Sequence, residues 1–372
     1  MVVKFGLPGD LSHSQKKLRQ VYLSILCGLR GGTRDRIRYL RGMQSTTDTQ
    51  LAALQRRFSQ FLTDRQFRKV PLRLYEPVDY ILSLGGKRLR PVVVLMAYRL
   101  FRMDVTPALP AALAIEVFHN FTLLHDDVMD KSKTRRGKPT VHEAWDTNQA
   151  ILSGDVMLIE AYRLLAEATP AELLPKVLRV FSSLAVEVCE GQQFDMNFET
   201  RDDVTIEQYL RMIELKTAVL FGGALQIGAL LGGATDADAE HLYRFGRDAG
   251  IAFQLRDDLL DTFGDAATFG KRIGGDILNN KQTYLVLKTM ELLGDTERGE
   301  LRALMLRRDL DEQVKIDAVK AIFDTVDIQQ LTEALSDQYH SQAVQHLKAV
   351  RVDEEQKAEL YELAERMRRR AI

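Results

Sequence analysis

Two copies of one acidic signature, Asp126-Asp127-x-x-Asp130 in LLHDDVMD and Asp257-Asp258-x-x-Asp261 in FQLRDDLLD, lie far apart in a chain otherwise rich in apolar helix formers. With Asp at about 6% of average composition, a random chain of this length would hold the pattern roughly 0.08 times. In a helix, positions i and i+4 share a face and i+1 lies about 100° round, so each triad aims carboxylates at one point from a rigid rod. Like charges that close repel and resist burial. Their natural compensation is a hard divalent cation with oxygen ligands. A single such cluster reads as a solvated acidic face. Here Phe121, Leu123 and Leu124 precede one triad and Ile251, Phe253 and Leu255 the other, which argues against a wet surface.

Mg2+ takes few protein carboxylates and finds its remaining ligands on water and substrate phosphates. Two acidic clusters therefore imply a phosphate-bearing substrate between them, and such a substrate needs cationic donors. LGGKRLRP supplies Lys87, Arg88 and Arg90 beside Gly85 and Gly86, which permit a tight turn and close backbone approach. KSKTRRGKP supplies Arg135, Arg136 and Lys138 just after the first triad, and Lys216, Lys271 and Lys281 follow in ELKTA, TFGKRIGGD and NNKQTY. Any one of these is ordinarily a surface residue. Their recurrence beside glycine loops and acidic triads carries the argument.

With 372 residues, 45% hydrophobic content and only 9 prolines, the chain can bury a large core. Helical spacing of apolar residues recurs in VVVLMAYRLF, AALAIEVFHNFTLLH, ILSGDVMLIEAYRLLAEA, VLRVFSSLAVEVCE and YLVLKTMELL, and strand alternation is scarce. Turn chemistry places breaks at Gly85-Gly86, Lys138-Pro139, Thr169-Pro170, Gly232-Gly233, Gly264-Asp265 and Gly274-Gly275. The fold class predicted is all-α, one large helical bundle.

A net charge of -1 argues against a nucleic-acid protein, which carries a basic stripe. Cys27 and Cys189 fit no disulfide or metal framework and suit a reducing cytoplasm. No apolar run is expected to reach the length of a membrane span, VLFGGALQIGALLGGA reading as a tightly packed internal helix. Residues 1–42 form a basic extension with nine Lys/Arg against Asp10 and Asp35. They read as a translated upstream region with the start at Met43, as a basic targeting or membrane-surface segment, or as an ordered arm. The first is preferred because MQSTTDTQLAALQRRFSQFL opens like an N-terminus ahead of an amphipathic helix. Residues 43–372 are the expected functional domain. The C-terminal EEQKAELYELAERMRRRAI reads as a helix with acids early and Arg366, Arg368, Arg369 and Arg370 late, a solvated end.

The motif order GGKRLRP, LLHDDVMDKSKTRRGKPTVH, LSGD, CEGQQFDM, ELKTA, FQLRDDLLD, GKRIGGD resembles the all-trans isoprenyl diphosphate synthases over about residues 60 to 300. These head-to-tail prenyltransferases include farnesyl and geranylgeranyl diphosphate synthases. The resemblance implies the isoprenoid synthase fold, a helical bundle around a central cavity, and a homodimer. It also implies three Mg2+ ions on Asp126, Asp130 and Asp257, helped by Asp127, Asp258 and Asp261, clamping an allylic diphosphate with Lys216, Lys271 and Arg135. Lys87, Arg90, His119 and Arg136 would grip isopentenyl diphosphate, and Lys281 belongs with the substrate-binding set. Gln254 and Thr217 would turn oxygen toward the allylic cation, and Gln192 and Asp195 would line the cavity. His125 and His142 are left as structural and Trp145 as core.

The resemblance also directs the growing chain back along the helix of the first triad, with Phe121, Thr122 and Phe118 as its floor. Five residues of helix rise about 7.5 Å. One ring at Phe121 with Thr122 beside it favours a twenty-carbon product, geranylgeranyl diphosphate, with farnesyl diphosphate second. A class I terpene cyclase fits poorly with the second DDxxD and GGKRLRP, and a non-catalytic synthase subunit fits poorly with both triads intact.

Overall fold

Residues 50–65, 67–264 and 273–369 are described by the computed structural model. The extension 1–42, Met43 and Lys271 lie outside the described residues. Residues 50–64 form α1, followed by α2 (Leu72–Ser83), α3 (Leu89–Arg99) and α4 (Leu109–Met129). A small hairpin pairs Thr134–Arg135 with Lys138–Pro139, and then come α5 (Thr147–Ala168) and α6 (Leu174–Phe198). α7 (Ile206–Ile213) continues through a π-helical turn, Glu214–Ala218, into α8 (Val219–Gly232). α9 (Asp236–Phe263) is followed by α10 (Tyr284–Leu292), α11 (Asp295–Leu306), α12 (Glu312–Thr325), α13 (Ile328–Ala349) and α14 (Glu354–Arg369). The all-α expectation holds.

Local chemistry sets these limits. Asp146 opens α5 by accepting from the Gln149 N–H, and Thr205 with Gln208 forms a capping box at α7. Helix α5 stops at Thr169, one residue before Pro170, and α8 stops at Gly233, whose φ of 95° is left-handed. Helix α4 is buried nearly all round, as a helix apolar on every face must be. It lies between α3 and α5, while α8 packs on α3 and α9, and α9 runs along α13. The α8–α9 contact is close because Gly222 and Gly246 face each other; a Cβ on Gly246 would sit 2.8 Å from the Gly222 Cα. Trp145 is half-buried, edge-on to Tyr80 at 5.2 Å.

One expectation changes. Because α7 and α8 are joined through the π-turn, Ile206–Gly232 is one stretch of 27 residues, long and apolar enough to cross a membrane, as is Thr106–Met129. In both, most of the apolar window is buried inside the protein's own bundle, 78% and 72% respectively, which is the setting of a core helix.

Candidate active site

The end of α4 sorts the first triad by helical geometry. Asp126 and Asp130 share a face, whereas Asp127, a third of a turn round, points into the protein. There Arg135, presented by the hairpin, donates to its two carboxylate oxygens at 2.7 Å each. Arg135 and Asp127 thus hold each other in the folded chain. Burial, reinforced by Asp130 and Asp127 and opposed by Lys216 and Arg135, pushes the Asp126 carboxyl up to about 6. Burial also raises Asp130.

The second triad, on α9, meets the first across a cleft. A cavity of 440 Å3 is lined by Asp130 from one side and Asp257, Asp258 and Asp261 from the other. Asp258 is buried and accepts from the Tyr209 hydroxyl and, at 3.1 Å, from the Gln254 amide. Burial, with Asp276 and Asp257 nearby, raises its carboxyl well above the usual range. Asp261 accepts from the backbone N–H of Asp276 at 2.9 Å. Opposite the acids stand two lysines. Lys216 donates to Asp195 at 2.6 Å, and Lys281 lies 3.5 Å from both Asp195 and Glu199. Burial would raise Asp195, but Lys216 and Lys281 outweigh it and hold the carboxyl below its ordinary value.

Lys216 and Thr217 sit in the π-turn, where the backbone bulges by one residue, a distortion that often marks a functional segment. Two glycines make room for it. A Cβ on Gly191 of α6 would overlap the Lys216 backbone nitrogen, and one on Gly250 of α9 would lie 2.9 Å from the Ala218 Cα. The bulge places Thr217 on the wall of the acidic cleft and also on the wall of a second cavity.

That second cavity, 530 Å3, is lined by Lys87, Arg88, Arg90, His119 and Arg136 with Phe221, Phe253 and Met367. Arg90 lies 3.3 Å from the His119 ring, and Arg136 reaches the carbonyl of Gly85 in the glycine turn. Burial first, then Arg90 and Arg136, pushes His119 well below its usual range, so its ring is neutral. The Arg90 Nε is buried with no hydrogen-bond partner among the described residues, a donor suited to an anion. Arg88 instead pairs with buried Glu116 and donates to the Leu82 carbonyl, an internal brace. The end of α14 is not merely solvated: Met367 lines this cavity, Arg368 pairs with Asp337 and Glu365, and its carbonyl accepts from Arg256.

Gln192 lies apart from both cavities, buried with its amide 3.8 Å from the Met129 sulfur. Phe118 is fully buried between Phe121 (5.6 Å between centroids) and Phe181 (5.2 Å), and Phe121 meets the His125 ring edge-on at 4.8 Å. Thr122 donates to the His119 carbonyl. Tyr209, Asp276 and Asn280 line the acidic cleft although no sequence signal singled them out. Asp276 closes the GKRIGGD motif and could have been read there. Tyr209 and Asn280 enter only through folding.

The donor set fits a hard cation: carboxylate oxygens on both walls, with neither thiolate nor imidazole among those lining the cleft. Among the described residues no three carboxylate, His or Cys side chains converge closely enough to hold a metal alone. An ion here would complete its shell with water and substrate oxygens, as Mg2+ does.

A family model for polyprenyl synthetases matches residues 71–322, which hold every residue lining the acidic cleft and all those lining the second cavity except Met367. The chain belongs to the polyprenyl synthetase family. It is a prenyl-transferring enzyme, and its family uses a divalent metal in binding diphosphate. It is 45% identical over 223 residues to a geranylgeranyl diphosphate synthase of Methanosarcina mazei, covering 59% of this chain and 68% of that one. It is 42% identical over 244 residues to a geranylfarnesyl diphosphate synthase of Natronomonas pharaonis, covering 61% and 72%. The fold matches a crystal structure of geranylgeranyl pyrophosphate synthase with a TM-score of 0.81 and 43% identity, covering 86% of this chain and 98% of that one. It also matches that of the Corynebacterium glutamicum enzyme complexed with isoprenyl diphosphate and magnesium, with a TM-score of 0.75 and 27% identity, covering 86% and 98%.

Proposed function

We propose that this polyprenyl synthetase condenses isopentenyl diphosphate with an allylic diphosphate to give geranylgeranyl diphosphate. The observation that carries this is the meeting of two unlike cavities at Thr217: an acid-walled cleft and a basic, partly apolar pocket. Asp126, Asp130, Asp257 and Asp261 would hold up to three Mg2+ ions, whose chemistry is to neutralise the allylic diphosphate as it leaves. Lys216 and Lys281 stand ready to exchange Asp195 for that diphosphate, and Lys271 joins them by motif. Lys87, Arg90 and Arg136 would take the diphosphate of isopentenyl diphosphate, with neutral His119 donating beside them. With its amide nitrogen donating to Asp258, Gln254 would offer its carbonyl oxygen to the cation, as Thr217 would. Proton loss to the released diphosphate completes the cycle.

Product length rests on Phe121, with names among the relatives in support. Residues 43–372 are taken as the synthase domain. Exposed Leu152 and Ile159, seven residues apart on one face of α5, support a homodimer. Incubation with isopentenyl diphosphate and labelled dimethylallyl, geranyl or farnesyl diphosphate, with and without Mg2+, tests the reading. Magnesium-dependent extension ending at twenty carbons is expected. Cyclic hydrocarbon would point to a cyclase, and no extension by the isolated chain to a non-catalytic subunit.

A further inference from the structure

Behind the acidic cleft, a one-turn helix, Gly275–Leu278, has both of its ends committed to the site. Its first turn gives the Asp276 N–H to Asp261, and its exit delivers Lys281 toward Asp195 and Glu199. The exit is a Schellman turn: Lys281 N–H donates to the Asp276 carbonyl at 2.9 Å and Asn280 N–H to the Ile277 carbonyl at 3.3 Å. Asn280 occupies the left-handed position of that turn, φ 55°, where glycine is the usual residue. The reason for asparagine lies on its far side. The Asn280 side-chain amide oxygen, Oδ1, accepts from Lys315 Nζ at 3.0 Å.

Lys315 is only 4% exposed, and its other acceptor is the Met305 carbonyl in the last turn of α11. Neither of these two acceptors is a carboxylate; the ammonium sits at the negative end of a helix dipole and on one amide oxygen. Burying an ammonium in such company is costly, which argues for a specific task. The adjacent Ile316 fills the space that a side chain on Gly274 would need, so the first turn of α12 backs both ends of the short helix.

We propose that Lys315 and Asn280 are positioning residues that set where Lys281 stands in the diphosphate cleft. This rests on the reading that Lys281 contacts the allylic diphosphate. Asn280→Gly keeps the left-handed turn while removing the acceptor, and Lys315→Met removes the donor with little change of volume. In the full-length enzyme with Mg2+, each should raise KM for the allylic diphosphate roughly tenfold, with KM for isopentenyl diphosphate unchanged, a loss of about 1.4 kcal/mol. In the Lys281→Ala background, Asn280→Gly should add nothing further. A role confined to stability would lower the melting temperature and leave the allylic KM as in wild type. The clip is overturned if Lys281→Ala impairs the allylic KM while Asn280→Gly leaves it intact, or if the two effects add. If Lys281→Ala is itself neutral, the reading of Lys281 as a diphosphate contact falls, and the clip with it.

Discussion

Gly191 lies directly beneath the backbone of Lys216, so close that a Cβ there would overlap the Lys216 nitrogen. Backbone cannot step aside as a flexible side chain can. Gly191→Ala should therefore displace the π-turn, costing about 1–3 kcal/mol in stability through overpacking. Turnover should drop on the order of a hundredfold, because Lys216 and Thr217 move together. Thermal melts beside steady-state kinetics check this, and a fall in stability with normal turnover would show that the turn tolerates the shift.

Adjacent aspartates should behave oppositely. Asp127 is buried and forked by Arg135, so Asp127→Asn should cost about 1.5–3 kcal/mol of folding stability. Asp126→Asn removes a carboxylate whose charged form is disfavoured by burial and by like charges, so the metal-free protein should be as stable as wild type or more so, with turnover lost. Denaturant titrations paired with rates separate the two.

The Asp126 carboxyl titrates near 6 in the folded protein, against an ordinary value of 3.8. Folding therefore favours its protonated form, so this group's contribution to metal-free stability is fully present below about pH 4 and is lost as pH rises through about 6. Magnesium needs the deprotonated carboxylate, so stabilisation by Mg2+ should grow over the same interval. Melting curves with Mg2+ and with a chelator, taken from about pH 4.5 to about pH 8, should diverge upward. Asp126→Asn should flatten the difference.

The two floor rings should also part company. Phe121→Ala should lengthen the product by one or more isoprene units on chromatography. Phe118 is wedged against Phe181, which in turn meets Tyr162 at 4.9 Å. Phe118→Ala should instead cost about 3–5 kcal/mol as a core cavity. An unchanged product pattern from Phe121→Ala would remove that ring from the floor.

Helices were legible where periodicity and turn residues agreed. The apolar spacing through residues 111–125 and 151–168 and the glycine breaks at 85–86 and 232–233 all match the folded elements. The cleft's acids were legible because paired carboxylates beside apolar runs have few other uses. The pairing of Arg135 with Asp127 was not legible, because one-dimensional order puts Arg135 beside the other cations, whereas the hairpin turns it back onto Asp127. The C-terminal arginines looked solvated because nothing local announces the contacts of α14 with Arg256 and Asp337.

Sequence alone settled the helical class, the two carboxylate signatures and the cationic motifs, because these depend on residue type at short spacing along one rod. Only tertiary structure decided that Asp127 turns to Arg135, which arginines remain open to an anion, and how Thr217 comes to border both cavities. Those outcomes depend on contacts between segments remote in the chain, where burial and the nearest countercharge select one rotation of each side chain over another.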